Sequence, residues 1–167
     1  MDTLTQKELK EMLNYEPTSG NFTWVKATNR SIKVGDIAGC VDKLGYRAIK
    51  INGKIYKAHR LAFLYMTGKF PTDEVDHINH SRDDNRFVNL RHATRVENLR
   101  NQSMYSKNKS GFTGVRWHEG ASKWVANIGI NGKDKHLGYF TDIDDAIACR
   151  KKANIENKFH ENHGTIN

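Results

Sequence analysis

Short alternating and helical patterns of apolar residues follow one another through the first third of the chain. Thr5 and Glu8 have the spacing of a capping box, which predicts a short helix ending near Leu13. Beyond it, apolar and polar residues alternate as in half-buried strands, and we place these strands at residues 21–26, 36–41, 46–51 and 54–58. Asn52 and Gly53 between the last two favour a tight hairpin turn, because its backbone needs positive φ. This region is predicted to form small antiparallel sheets.

The middle of the chain has the pattern of a helix, two strands and a second helix. Residues 59–68 are apolar on most faces and end in a glycine, which indicates a buried helix. Two strand patterns flank a polar loop and lie at residues 74–79 and 89–93. Thr94 and Glu97 repeat the capping-box spacing and predict a helix running to about Met104. The predicted order is therefore strand, loop, strand, helix.

A polar and basic stretch precedes a second patterned region. Residues 103–110 lack apolar periodicity, so we predict a short flexible linker there and a domain boundary between residues 106 and 107. Three further strands, the last two joined by Asn131 and Gly132, are predicted at residues 112–118, 124–130 and 135–140. A helix follows from Thr141. The predicted class is α+β: N-terminal antiparallel strands and a mixed region over residues 1–106, then a three-stranded antiparallel sheet packed on one helix over residues 107–167.

Composition narrows the class of partner. The chain has 167 residues, of which 37% are hydrophobic, and no apolar run is long enough to cross a bilayer, so we exclude a membrane protein. The chain has 27 Lys and Arg residues against 19 Asp and Glu residues, and the resulting net charge of +8 attracts polyanions. Nucleic acid is therefore the first partner we expect, and the alternative is a solvated surface that happens to be rich in lysine. Cys40 and Cys149 indicate no disulfide framework, and Cys149 is predicted to be a core residue. No leader is recognised within residues 1–15, so we expect a cytoplasmic protein.

The chemistry-bearing residues gather between positions 76 and 98. Pairing of the two strands is expected to bring Asp76 and His77 near the first turns of the helix that carries Asn98, with Asn85 and Asn89 close by. A carboxylate and an amide oxygen suit a hard cation such as Mg²⁺, and a neutral imidazole accepts a proton from water near neutral pH. The set therefore suits phosphodiester hydrolysis. Since neighbours on a regular strand point to opposite faces, such a site requires the strand to bend or end at the pair.

Five short motifs in this order resemble the HNH nucleases of the His-Me finger type, particularly phage homing endonucleases. They are HRLAFL from His59, VDHIN from Val75, DNR from Asp84, NLR from Asn89 and ENLRN from Glu97. The resemblance implies a ββα-metal finger, with its core at about residues 58–104. It also implies a metal-dependent DNA endonuclease that holds one divalent ion, Mg²⁺ or Mn²⁺.

The resemblance implies a role for each motif residue. Asp76 and Asn98 become the metal ligands, His77 the general base, and Asn89 the residue that orients the base. With one such site, a monomer that needs no protein partner is expected to nick double-stranded DNA. Guanidinium groups match phosphate geometry, so the basic residues around the site are expected to bind the DNA backbone; they are Arg60, Arg82, Arg86, Arg91, Arg95 and Arg100. His59 either contacts phosphate or packs against the finger.

Three alternatives stay open at the level of sequence. A zinc site formed by His77, His80 and His92 is possible by ligand type, although the usual paired spacings are missing. The finger could be a relic in a non-catalytic, sequence-specific DNA-binding regulator. RNA could also be the substrate, because an imidazole and a metal would serve there too.

Residues 110–159 resemble a second family, the plant APETALA or ethylene-response-factor DNA-binding domain. The matching segments are SGFTGVRW from Ser110, KWVANI from Lys123, LGYF from Leu137 and DDAIA from Asp144. The resemblance implies a sheet that lies in the major groove of DNA, with Arg116, Trp117 and Trp124 as contact residues. Asn127 and Gly129 replace the charged base-reading residues of the plant proteins, so the plant target sequence is not expected. Alternatively, both tryptophans pack against the helix as core residues.

Overall fold

The computed structural model describes residues 4–27 and 31–165 and divides into two compact units, one up to Thr94 and one from Arg95. Residues 1–3, which belong to the segment searched for a leader sequence, lie outside the described residues. No helix in the described ranges is long and apolar enough to cross a membrane.

The first unit begins with a capped helix and a hairpin. In α1 (Gln6–Met12), Thr5 Oγ1 accepts a hydrogen bond from Glu8 N at 3.2 Å, and Glu8 Oε2 accepts one from Thr5 N at 2.8 Å. The predicted capping box is thereby confirmed. Leu13, predicted near the end of the helix, instead opens strand β1 (Leu13–Glu16), which pairs antiparallel with β2 (Asn21–Trp24).

A three-stranded antiparallel sheet follows, in the order β3 (Cys40–Val41), β4 (Arg47–Ile51) and β5 (Lys54–Lys57). The predicted turn is confirmed, with φ of 47° at Asn52 and 79° at Gly53. The strand predicted at residues 36–41 is reduced to β3. Gly39 has φ of 82°, and a Cβ there would lie 2.3 Å from the Ala48 carbonyl oxygen, so a regular strand cannot pass through it.

Helix α2 (Ala58–Thr67) continues directly from β5 and ends at Gly68, whose φ is 80°. Its apolar residues form one core with α1, the hairpin and the central sheet, and the side chains that share this core include Leu9, Leu13, Phe22, Ile49 and Leu61. Beyond α2, β6 (Glu74–His77) pairs antiparallel with β7 (Leu90–Ala93), and a 3₁₀ turn at Phe87–Asn89 precedes β7. The strands and loop predicted around the candidate site are thus present.

The second unit starts with α3 (Arg95–Leu99), which is shorter than the helix predicted to reach Met104. The chain beyond α3 leaves the helix because its backbone binds the C-terminal segment: His160 N donates to Arg100 O at 3.1 Å, and Gly164 N donates to Gln102 O at 2.7 Å. These bonds join the residues after α3 to the C-terminal segment within the second unit, and the domain boundary after residue 106 stays a prediction.

The segment predicted as a flexible linker is hydrogen-bonded within the second unit. Asn108 Oδ1 accepts hydrogen bonds from Ser110 N at 3.0 Å and from Gly111 N at 2.9 Å. Ser110 Oγ in turn donates to Val115 O at 2.6 Å, at the first residue of the following strand. Polar composition in this stretch reflects side chains that bind the backbone of a turn, and the linker between domains stays a prediction.

Three antiparallel strands, β8 (Val115–His118), β9 (Lys123–Ile130) and β10 (Lys133–Phe140), precede helix α4 (Ile143–Glu156). The predicted hairpin between β9 and β10 is confirmed, with Asn131 and Gly132 at positive φ. The helix packs on the sheet through the buried stripe of Ala146, Arg150 and Ala153. Cys149 lies at the margin of this stripe and is half-buried, so the prediction of a core cysteine is only partly met.

Candidate active site

Asp76 and His77 lie at the end of β6, and each residue is 5% exposed. Asp76 faces Arg91 across the hairpin and His77 faces Leu90. A turn begins immediately after the pair, since His80 N donates to His77 O at 3.0 Å and His80 has φ of 64°. The strand therefore ends where a shared site requires it to end.

The carboxylate of Asp76 is held by a guanidinium. Arg91 donates from Nε and Nη2 to Asp76 Oδ2, at 2.9 Å and 2.7 Å. Charge-assisted bonds of this kind fix the carboxylate strongly. Arg91, predicted as a DNA contact, is thus placed against the proposed metal ligand.

Within the described ranges, no group of three or more His, Cys, Asp or Glu residues could hold a metal ion. The possible zinc site formed by His77, His80 and His92 is therefore not found.

Aromatic rings and one amide surround His77. The His77 ring centroid lies 5.1 Å from that of His59 and 5.9 Å from that of Tyr46. On another side, His77 Nε2 lies 3.5 Å from Asn85 Oδ1, at the long end of hydrogen-bond distances. Burial lowers the pKa of His77, while the Asn85 contact and the charge of Asp76 oppose that shift. The imidazole is therefore neutral at neutral pH, as a general base must be.

His59 packs beside this ring and is 8% exposed. Burial, reinforced by the nearby positive charges and by His77, lowers the pKa of His59 to about 3. A neutral, buried imidazole offers no charge to a phosphate group. Of the two roles left open for His59, the structure displays the packing role.

Asn89 shapes the loop between β6 and β7. Its Oδ1 accepts a hydrogen bond from Asn79 N at 3.0 Å, and its Nδ2 donates to Asp84 O at 2.8 Å. The side chain thus ties together the two ends of the loop that follows His77. Its role as the residue that orients the base stays a prediction, and both of these contacts are with loop backbone.

Two further arginines predicted to bind DNA, besides Arg91, also have partners within the first unit. Arg60 donates to the backbone oxygens of Pro71 at 2.7 Å and Asp73 at 3.1 Å. Arg86 pairs with Asp84, and this contact lowers the pKa of the Asp84 carboxyl to about 2. Arg86 is the more exposed of the two, and its role as a DNA contact stays a prediction.

The structure does not bring all predicted site residues into one unit. Asn98 lies on α3 in the second unit, whereas Asp76, His77 and Asn89 belong to the first. Joint binding of one ion by Asp76 and Asn98 accordingly stays a prediction.

Tyr46 is an aromatic residue of the site that sequence reasoning missed. It lies just before β4 and contacts both His59 and His77, but no motif surrounds it.

The register of the second sheet separates the three residues predicted to contact DNA there. Arg116 faces Val125 across the β8–β9 pair, while Trp117 faces Trp124. Trp124 packs in the core beneath α4, and the two indole rings are 5.3 Å apart in an edge-to-face contact, so both lie on the helix side. Trp117 is nevertheless 40% exposed. Arg116 lies on the opposite, open face, together with Tyr139 and the hydrogen-bonded pair Asn127 and His136.

Comparison with known proteins identifies the class of the candidate site. Residues 56–100, which contain Asp76, His77 and Asn89, match the protein-family model described as HNH endonuclease. The candidate site therefore lies in a segment that is similar to HNH endonucleases, and this similarity supports endonuclease as its enzyme class.

One solved structure is similar, and its title is "DNA binding and cleavage by the HNH homing endonuclease I-HmuI". The identity is 26%, the TM-score is 0.45, and the match covers 61% of this chain and 57% of that one. The chain thus corresponds to little more than half the length of that protein. The comparison with curated proteins returned no match.

Proposed function

We propose that this protein is a metal-dependent DNA endonuclease that hydrolyses phosphodiester bonds and nicks its target in the manner of homing endonucleases. The observation that carries the proposal is a neutral imidazole, His77, buried beside the Asp76 carboxylate within the segment that matches the HNH family. Attack of water on phosphorus requires removal of a proton, and His77 is the group suited to accept it.

The donor set fits a hard divalent cation. Asp76 supplies an oxygen ligand that already accommodates the positive charge of Arg91, and Asn98 is the amide oxygen we propose as the second ligand. Water and phosphate oxygens would complete such a shell. When bound, Mg²⁺ or Mn²⁺ supplies stabilisation of the negative charge that develops on the departing oxygen. Arg91 then holds the Asp76 carboxylate in one orientation.

Supercoiled plasmid provides the direct test. We expect conversion to the open-circular form with Mg²⁺ or Mn²⁺, no conversion with EDTA, and loss of conversion in Asp76→Asn, which keeps the shape of the side chain. Asn98→Ala should also lose activity if its oxygen binds the ion. Absence of nicking with every divalent metal would favour the non-catalytic regulator, and concerted cutting of both strands by monomer would contradict a nicking enzyme.

We propose further that the second unit binds double-stranded DNA through the open face of its sheet, as its resemblance to the plant domain implies. A sheet of two or three strands can enter the major groove, where every base pair presents a distinct pattern of hydrogen-bond donors and acceptors. Arg116 offers a guanidinium, and Asn127 with His136 offers a coupled pair of polar groups on the same face. Trp117 is the aromatic residue whose exposed edge could contribute from the rim.

Arg116→Ala tests this surface. We expect DNA affinity to fall by about 1–3 kcal/mol if the guanidinium contacts a base, or the salt dependence to weaken by about one phosphate contact if it binds backbone. Fluorescence anisotropy over a range of salt concentrations separates these outcomes. Lys152→Ala is the matched control, because it removes the same charge from exposed helix α4. Equal losses in the two variants would show that only net charge matters.

A further inference from the structure

We propose that Asn127 and His136 are the specificity-determining pair of the second unit, and that together they recognise an adenine in the major groove of double-stranded DNA. The inference rests on the proposed function, in which the open face of the β8–β10 sheet binds DNA. It deepens that function, because it assigns one base to two residues of this face.

A β-bulge in β10 places the pair beside an aromatic ring. His136 faces Asn127 across the β9–β10 pair. Tyr139, three residues further along β10, faces Val125, which is only two residues away from Asn127 on β9. Leu137 is therefore the extra residue of a bulge. On a regular strand, residues three apart point to opposite faces, whereas here His136 and Tyr139 share the open face.

The imidazole of His136 is supported on two sides. Its Nδ1 lies 3.2 Å from Asn127 Oδ1, and its ring centroid lies 4.7 Å from that of Tyr139. Tyr139 is itself flanked by the His118 ring, whose centroid is 5.8 Å away. A side chain that is already held in place loses less conformational freedom on binding. The pair is therefore a preformed group on an otherwise exposed strand.

The pair offers one hydrogen-bond donor and one acceptor to a ligand. An amide oxygen only accepts, so Nδ1 of His136 carries the proton in this contact and Nε2 of the neutral ring is an acceptor. The donor beside it is Nδ2 of Asn127. In the part of the chain that the structure describes, neither of these two nitrogens has a hydrogen-bond partner. The reverse orientation of the amide would exchange the two roles and keep the same combination.

Adenine is the base that this combination fits. In the major groove, adenine presents N7 as an acceptor and its N6 amino group as a donor, whereas guanine presents two acceptors. Cytosine offers a donor alone, and thymine offers an acceptor alone. Each of these three bases would leave a polar group of the pair unsatisfied, which costs affinity.

Charged residues on the same face suit the DNA backbone. Arg116 on β8 and Lys123 on β9 lie on the open face, and Asp134 lies opposite Gly129 near the turn between β9 and β10. Cationic side chains bind phosphate and position a protein on DNA, whereas sequence is recognised at the base edges. The uncharged pair is therefore the part of this face suited to a base.

The experiment is selection of binding sites by the full-length protein from a randomised double-stranded DNA library, at pH 8 and with EDTA so that no strand is cut. We expect the wild-type protein to select a site with an A·T pair whose replacement by G·C lowers affinity about tenfold, as measured by fluorescence anisotropy. His136→Phe keeps a ring against Tyr139 and removes both nitrogens, and Asn127→Ala removes the amide. Each variant should lose most of this preference while its binding to unrelated DNA is unchanged.

Lys135→Ala is the matched control. Lys135 precedes His136 and faces Ile128, on the other side of the sheet. Its loss should leave the preference for the A·T pair unchanged.

A preference that survives in both His136→Phe and Asn127→Ala would overturn the proposal. So would a wild-type site in which no A·T pair is preferred, and this result needs no variant to fold. If Arg116→Ala weakens binding but the pair variants keep the wild-type preference, the sheet binds DNA and only the assignment of the base fails. If neither Arg116→Ala nor the pair variants alter binding, DNA recognition by this face fails as well.

Nuclease activity plays no part in these measurements, since EDTA is present throughout. A protein that shows the expected preference but nicks no plasmid would contradict the proposed catalytic activity, while the role of Asn127 and His136 would hold.

Discussion

His77→Ala is expected to lower the nicking rate by about 10² to 10⁴-fold, the usual contribution of a positioned general base. The substitution removes the neutral imidazole that accepts the proton from attacking water. DNA affinity should stay unchanged, because His77 is buried and carries no charge at neutral pH. Single-turnover cleavage of a supercoiled plasmid, with binding measured separately by anisotropy, gives the two quantities independently.

His92→Ala serves as the matched control. His92 lies on β7, packs against the Phe63 ring at 4.4 Å and is exposed on its other side, so its loss removes an imidazole without touching His77. We expect its nicking rate to lie within about threefold of wild type, which corresponds to well under 1 kcal/mol. Retention of most activity in His77→Ala would assign the base to another residue.

Gly20→Ala is expected to lower the free energy of unfolding by about 3 kcal/mol, since it combines left-handed backbone strain with overpacking. Gly20 has φ of 75°, and an added Cβ would lie 2.5 Å from the carbonyl carbon of Asn85. Neither backbone can yield, because Gly20 N is itself bonded to Glu16 O at 2.8 Å. Urea unfolding, with amide hydrogen exchange in β1 and β2 as the local probe, measures the effect.

Gly53→Ala separates strain from crowding. Gly53 has a similar φ of 79°, but an added Cβ there meets nothing within 4 Å. Its cost should be that of the left-handed conformation alone, about 1 kcal/mol. Equal losses at the two glycines would mean that the hairpin does not press on the Asn85 backbone.

Local features were predictable because each depends on residues close together in the chain. The capping box at Thr5 and the two asparagine-glycine turns formed as predicted. Predictions were less accurate where backbone from a distant part of the chain binds or closely approaches the segment. Helix α3 ends at Leu99 because the following residues bind the C-terminal segment, and β3 is short because Gly39 approaches Ala48. No local sequence pattern indicates these contacts between distant backbone segments.

The candidate site likewise combines features that could be predicted from local sequence with features that are set by distant contacts. Asp76 and His77 stood out by their residue types and by the motifs around them, and the match to the HNH family includes both. The partners of the arginines did not stand out, since a basic residue near a site looks the same in sequence whether it binds phosphate or a neighbouring carboxylate. Arg91 against Asp76 and Arg60 against the Pro71 carbonyl are set by folding alone.

By itself, the sequence determined the class of chemistry: a basic chain with an ordered series of HNH motifs, two antiparallel hairpins marked by their turns, and an acid-imidazole pair between predicted strands. Only the tertiary structure decided which groups touch that imidazole. Tyr46, His59 and Asn85 come from three separate elements, and they meet at His77 because the core beneath them packs α2 and the hairpin against the loop. Residue type limits what a side chain can do, whereas the packing of distant segments selects the partner with which it does so.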